Sequence, residues 1–246
     1  MVDDRHLLAA GDAAVKVALK EWDKDIIDPP HKSLYDPTFD DDRKAIDGYI
    51  REGVLLGGVQ NPKTFVYKRD GDYEWCGAFA AYAWKDFIHA DIRQLYWPST
   101  YRLDCYGRYV AGFKTKNAVS VAKKYKKEDD PIPRKYLQIT PKTTPEQIEE
   151  FGPRRGDILI VGTRPGLDYG THVTLVIRWD PALKVFFTIE GNATGEGPVY
   201  GSRRQGVVTQ KRPLHAERPH VEYGAIGLLR PGSRDIDESV VAKLLT

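Results

Sequence analysis

The chain predicts an α+β domain, with helices in its first part and an antiparallel sheet in its last. Three observations carry this. Up to about residue 151, apolar residues recur three and four positions apart, the period of a helix face. After Gly152 they gather in short runs rich in Val, Ile, Leu, Phe and Thr, the composition of strands. The gaps between those runs are short and hold Gly, Pro and Asp, so consecutive strands fold back on one another.

Residues 5–22 read as an amphipathic helix, with Leu7, Leu8, Val15, Val17, Leu19 and Trp22 among its apolar positions. DPPHKSLYDP, with three prolines, is a loop. Residues 39–52 suggest a second helix, with Ile46, Tyr49 and Ile50 on one side; Gly57, Gly58 and the Asn61–Pro62 pair then break the chain. From Cys76 to His89 two rows spaced by four, Phe79–Ala83–Phe87 and Ala80–Trp84–Ile88, merge into one wide stripe, which predicts a helix packed into a core. Ser99, after Pro98, is an N-cap candidate for a further helix. KTKNAVSVAKKYKK, from Lys114 to Lys127, reads as another, its lysines a solvated face rather than a polyanion patch.

TTPEQIEEFG holds a short helix with all its signals: Thr144 as N-cap, Pro145 at the first position, Gln147 closing a capping box, Gly152 past the end. GDILIVG, HVTLVIRWD, KVFFTIEGN, GVVTQKRPL and AIGLLRPG follow as strands, giving a sheet of four to six. Ser233 to Leu245 reads as a C-terminal helix. The expected organisation is an N-terminal helical extension (1–60) packed on the domain, the domain itself (61–232) with a long insert at 91–153, and the C-terminal helix (233–246).

The 246 residues are 41% hydrophobic and 29% charged, enough for one large domain with its own core. A formal net charge of only +2 argues against nucleic acid as a partner, which calls for a basic stripe. No apolar run reaches membrane-spanning length, so no membrane span is expected. The start, MVDDRHLLAAGDAAVKVALKEWDKD, lacks a basic segment followed by an apolar one, so no secretory signal is expected; synthesis in the cytoplasm, with delivery by a secretion system or phage lysis, is the expectation. The two cysteines have no metal-ligand spacing, and a Cys76–Cys105 bridge would leave no free thiol.

DYEWCGAFAAYAW puts Cys76 at the start of a helix, where backbone N–H groups and the helix dipole favour a thiolate. Such a thiol needs an imidazole to lower its pKa further and to carry the proton. Of the six histidines, His172 alone opens a strongly apolar strand, where rigid backbone holds a general base in place. The base needs an orienting acceptor. The strand after the WDPALK turn ends in Glu190 and Asn192, and in an antiparallel pair that end faces the start of the His172 strand. Glu190 and Asn192 are two apart and should share a face, so either can orient the ring. A buried structural cysteine, a strand-end histidine and simple turn chemistry in GNATG are the competing explanations. Tyr73, Trp75 and Trp97 are the aromatic candidates for a substrate cleft; Tyr73 and Trp75 serve equally as core packing. Cys105, Asp157, His215 and His220 read as structural or surface residues.

EWCGAFAAYAW, WPSTYRLDCYGRY, PRRGDILIV, GTHVTLVIRW and FFTIEGNATG, in that order, resemble the CHAP and NlpC/P60 group of papain-like cysteine amidases and endopeptidases. The resemblance covers about residues 70 to 230. It implies a papain-like fold and a peptidoglycan or peptide substrate, cut at the sugar–peptide link or within the peptide. It implies Cys76 as nucleophile, His172 as base, Glu190 or Asn192 as the orienting group, and chemistry that needs no metal or cofactor. Thr174 stands where the group has a glycine or small residue, and the segment from 91 to 153 is unusually long. A catalytically silent wall- or partner-binding module on the same fold is the alternative. A toxin acting as amidase or deamidase on a protein is another, and an immunity or inhibitor protein would be its partner.

Overall fold

A computed structural model describes residues 2–27, 38, 40–55, 75–89, 135–162, 172–198, 203–216 and 224–246. The first helix, α1, runs Asp4–Asp23, close to the expected span. Asp3 caps it, accepting the backbone N–H of Arg5 and His6 at 3.0 and 3.2 Å. The second, α2, runs Asp40–Gly48 and continues as a π-helix over Tyr49–Leu55; Ile46, Tyr49 and Ile50 are buried as predicted.

The nucleophile-candidate helix, α3, spans Cys76–Ala83, shorter than the stripe suggested. The chain turns at Trp84–Phe87, and Ile88 bridges to Ile236. Phe87 and Ile88 stay buried, so the apolar pattern continues past the point where the helix stops. Trp84 is anchored elsewhere, its indole N–H donating to the Gly156 carbonyl at 3.2 Å. The short helix α4 is Pro145–Phe151, with the predicted capping box and Gly152 left-handed at φ 67°.

Among the described residues the sheet has six strands: β1 (Lys135–Gln138), β2 (Ile158–Gly162), β3 (His172–Asp180), β4 (Val185–Glu196), β5 (Arg203–Pro213) and β6 (Gly224–Arg230), in the order β1-β6-β2-β3-β4-β5. Every neighbouring pair is antiparallel. Helices and an antiparallel sheet make the chain α+β. Strand β1 lies inside the interval read as an insert; four residues behind Pro131 and Pro133 give too short a run to stand out from sequence. The expected C-terminal helix is broken. A 3-10 turn, Ser233–Asp235, leads to Ile236 in extended conformation, and Asp237 restarts the chain as α5, Glu238–Val241, followed by a second 3-10 turn, Ala242–Leu244. Ile236 pairs with Ile88, and that pairing interrupts the helix.

Alternation along the strands builds two cores. Ile158, Ile160, Val173, Leu175, Ile189, Val207 and Leu229 face α1, α3 and the π-helix. Leu159, Val161, Val176, Phe186 and Leu228 pack with Ile148 of α4 on the other side. Among the described residues no helix is long and apolar enough to cross a membrane. The predicted helices near Ser99 and over Lys114–Lys127 lie outside the described residues.

Candidate active site

Cys76 is the first residue of α3, behind Trp75 as N-cap, and it is a free thiol. The helix is seated by contacts that leave little freedom. Gly191 of β4 sits directly beneath it: a Cβ there would lie 2.5 Å from Trp75 Cζ3 and 2.6 Å from Phe79 Cβ. Gly53 of the π-helix also lies so close that a Cβ would meet the Ala78 carbonyl oxygen at 2.5 Å. Sheet and π-helix therefore both pack closely on α3, whose first residue is Cys76.

His172 begins β3 and is hydrogen-bonded to the Cys76 sulfur. Its Nε2 lies 3.0 Å from Glu190 Oε2. With Nε2 turned to Glu190, Nδ1 is the nitrogen left for Cys76. The hairpin argument from sequence thus brings the intended pair together: β3 pairs with β4 through Leu175↔Ile189, and the strand start meets the strand end.

Glu190 has no exposed surface and four donors. His172 is one. Thr188 Oγ1 donates to Oε1 at 2.5 Å, and the Arg212 guanidinium grips both oxygens, Nε to Oε1 at 2.8 Å and Nη2 to Oε2. Burial alone would raise this carboxyl, but the hydrogen bonds from His172 and Arg212 overcome that and bring it to about 2. Burial would likewise lower the His172 imidazole; the negative charge and hydrogen bond of Cys76, with Glu190 behind, hold it instead at about 9. The arrangement is a cysteine beside an imidazole held above its ordinary pKa, itself paired with a carboxylate. Such a line can attack an electrophilic carbon and donate a proton to the group that leaves.

Asn192 departs from the sequence expectation. It has φ 56°, and the register slips from Glu190↔Val208 to Ala193↔Gly206, so two residues of β4 oppose one of β5. The bulge breaks the alternation that would have put Asn192 on the Glu190 face. Its left-handed backbone is the turn chemistry that Asn tolerates. Glu190 is the acceptor on the ring. Trp75 is 2% exposed and stacked on Tyr49 at 5.7 Å between centroids, which places it in the core rather than on a cleft wall. Tyr73, Trp97, Cys105 and His220 lie outside the described residues. His215 Nε2 lies 2.8 Å from the Thr143 carbonyl oxygen.

Asp157 serves the frame. Arg230 holds it through two bonds, Nε to Oδ1 at 2.9 Å and Nη2 to Oδ2 at 2.7 Å, and also donates to the Gly152 carbonyl at 2.6 Å. Thr188 and Arg212 are the site neighbours that sequence reasoning missed. Strand parity could have found them, since Thr188↔Gln210 and Phe186↔Arg212 put Arg212 on the Glu190 face. Among the described residues no group of three or more His, Cys, Asp or Glu side chains is placed to hold a metal ion.

No family model, no curated protein and no solved structure matches this chain. The likeness to CHAP and NlpC/P60 enzymes therefore rests on the ordered motifs themselves.

Proposed function

We propose that this chain is a cysteine-dependent amide hydrolase of papain-like architecture, acting on peptidoglycan as an N-acetylmuramoyl-L-alanine amidase or a peptide endopeptidase. The observation that supports it most is the line Cys76–His172–Glu190, buried, hydrogen-bonded and ordered as nucleophile, base and orienting acid. The substrate comes from the motif resemblance.

The Cys76 thiolate attacks the amide carbonyl carbon, and the carbonyl π pair moves to oxygen. In this reading the backbone N–H of Cys76, at the start of α3, serves as a donor to that oxyanion. The C–N bond then breaks as His172 Nδ1–H gives its proton to the departing amine, leaving a thioester. Water attacks the thioester, His172 takes the water's proton, and the C–S bond breaks. A carboxylic acid leaves, and the thiolate–imidazolium pair is restored. Glu190 stays ionised throughout and holds the ring with Nδ1 toward sulfur.

The test is clearing of purified cell walls, followed by turbidity, with the parent protein and with Cys76→Ala. Clearing by the parent alone is expected. Equal clearing by both would sink the proposal.

A further inference from the structure

We propose that Arg212 is a positioning residue for this site: its guanidinium fork keeps the Glu190 carboxylate ionised and aimed at His172, and so maintains the thiolate–imidazolium pair from two residues away. The inference rests on the hydrolase reading above and extends it to a side chain that bonds both oxygens of Glu190.

Glu190 sits fully inside the protein, where an isolated carboxylate is costly and tends to take up a proton. Among the described residues the charged and titratable groups that face it are His172 from β3 and Arg212 from β5, with Cys76 of α3 beyond the ring. Thr188, on its own strand, adds a hydroxyl at 2.5 Å. Arg212 contributes two of the four bonds, one to each oxygen, so it fixes the plane of the carboxylate as well as its charge. A lysine could supply the charge but not the plane. Arg212 is itself only 13% exposed, which keeps water from replacing its fork.

Two functions follow from that geometry. With both oxygens held, Oε2 is presented to Nε2 in one orientation, and the ring cannot turn Nδ1 away from sulfur. With the guanidinium beside it, the carboxylate stays ionised in acid, so the imidazolium keeps its counter-charge.

The experiment is the pH profile of iodoacetamide alkylation at Cys76, from pH 3 to 10, for the full chain, Arg212→Met, Arg212→Lys and Glu190→Gln, with the fold of each followed by circular dichroism. The parent should alkylate fast well below the ordinary thiol range, where only a thiolate–imidazolium pair reacts. In Arg212→Met the Glu190 carboxyl should titrate about 1 to 3 pH units higher, as losing an adjacent cation shifts a carboxyl, and the acid limb of Cys76 alkylation should move away from the parent's. Arg212→Lys should restore part of that shift, which also covers the case in which Arg212→Met fails to fold. Adding Arg212→Met to Glu190→Gln should move the limb no further, because Arg212 acts through the carboxylate. A purely structural Arg212 would lower the melting temperature and leave the limb in place, and that result overturns the inference. A parent limb at the ordinary thiol pKa would instead overturn the hydrolase reading itself.

Discussion

Gly191→Ala tests whether the fold sets the site. The methyl group would arrive 2.5 Å from Trp75 Cζ3, 2.6 Å from Phe79 Cβ and 2.8 Å from Phe79 Cγ, against the 3.4 Å at which ordinary contact begins. The shortfall is about 1 Å, and Phe79 Cβ cannot swing aside because it is fixed to the α3 backbone. Helix α3 must therefore lift from β4, and it is also packed closely by Gly53 against Ala78 and Tyr82. Overpacking of this kind costs about 1–3 kcal/mol. For a chain of this length that lowers the melting temperature by about 2–12 °C. The larger effect should be on chemistry. Cys76 travels with α3 while His172 and Glu190 stay with the sheet, and a misplacement of about 1 Å costs about 100-fold in rate. The assays are thermal unfolding by circular dichroism, iodoacetamide alkylation at pH 6, and wall clearing. Gly48→Ala is the control, since nothing lies within 4 Å of a Cβ there; it should gain about 0.5–1 kcal/mol. A Gly191→Ala protein that melts and alkylates like the parent would refute the reasoning.

The remaining predictions concern pH, the frame and Asn192. His172 is raised from 6.5 to about 9, so its contribution to stability is complete below pH 6.5 and disappears as pH rises through 9. The urea midpoint of the parent should fall across that window more than that of His172→Gln; equal slopes would count against the ion pair. Arg230→Met strands the buried Asp157 carboxylate and should cost about 3–5 kcal/mol in urea unfolding, and a loss below about 1 kcal/mol would show that the pair is not part of the frame. Asn192→Ala removes the carboxamide that lets Asn tolerate φ 56° and should cost about 1 kcal/mol while leaving the alkylation profile unchanged. A shifted profile would restore Asn192 as an orienting group.

Local signals in the sequence carried much of the fold. Thr144, Gln147 and Gly152 each satisfy an orphan backbone group at a fixed offset, so α4 was legible to the residue. The β-rich runs gave five of the strands, and the hairpin between β3 and β4 gave the meeting of His172 with Glu190. What the sequence hid was non-local. The end of α3 is set by where the Trp84 indole finds Gly156, a partner 72 residues away. The bulge at Gly191–Asn192 comes from seating a strand under a helix, and short Gly-Asn pairs read as turns. Arg212 looks like a solvated charge in QKRPL until the β4–β5 register places it over Glu190.

Mass spectrometry of peptidoglycan digested by this protein and by Cys76→Ala is the most direct test of the central claim. A Cys76-dependent wall hydrolase gives new fragments from the parent alone, with masses of either freed lactyl-linked sugars or freed peptide amines. Identical fragment patterns from both proteins, or no fragments from either across several wall chemotypes, would contradict it.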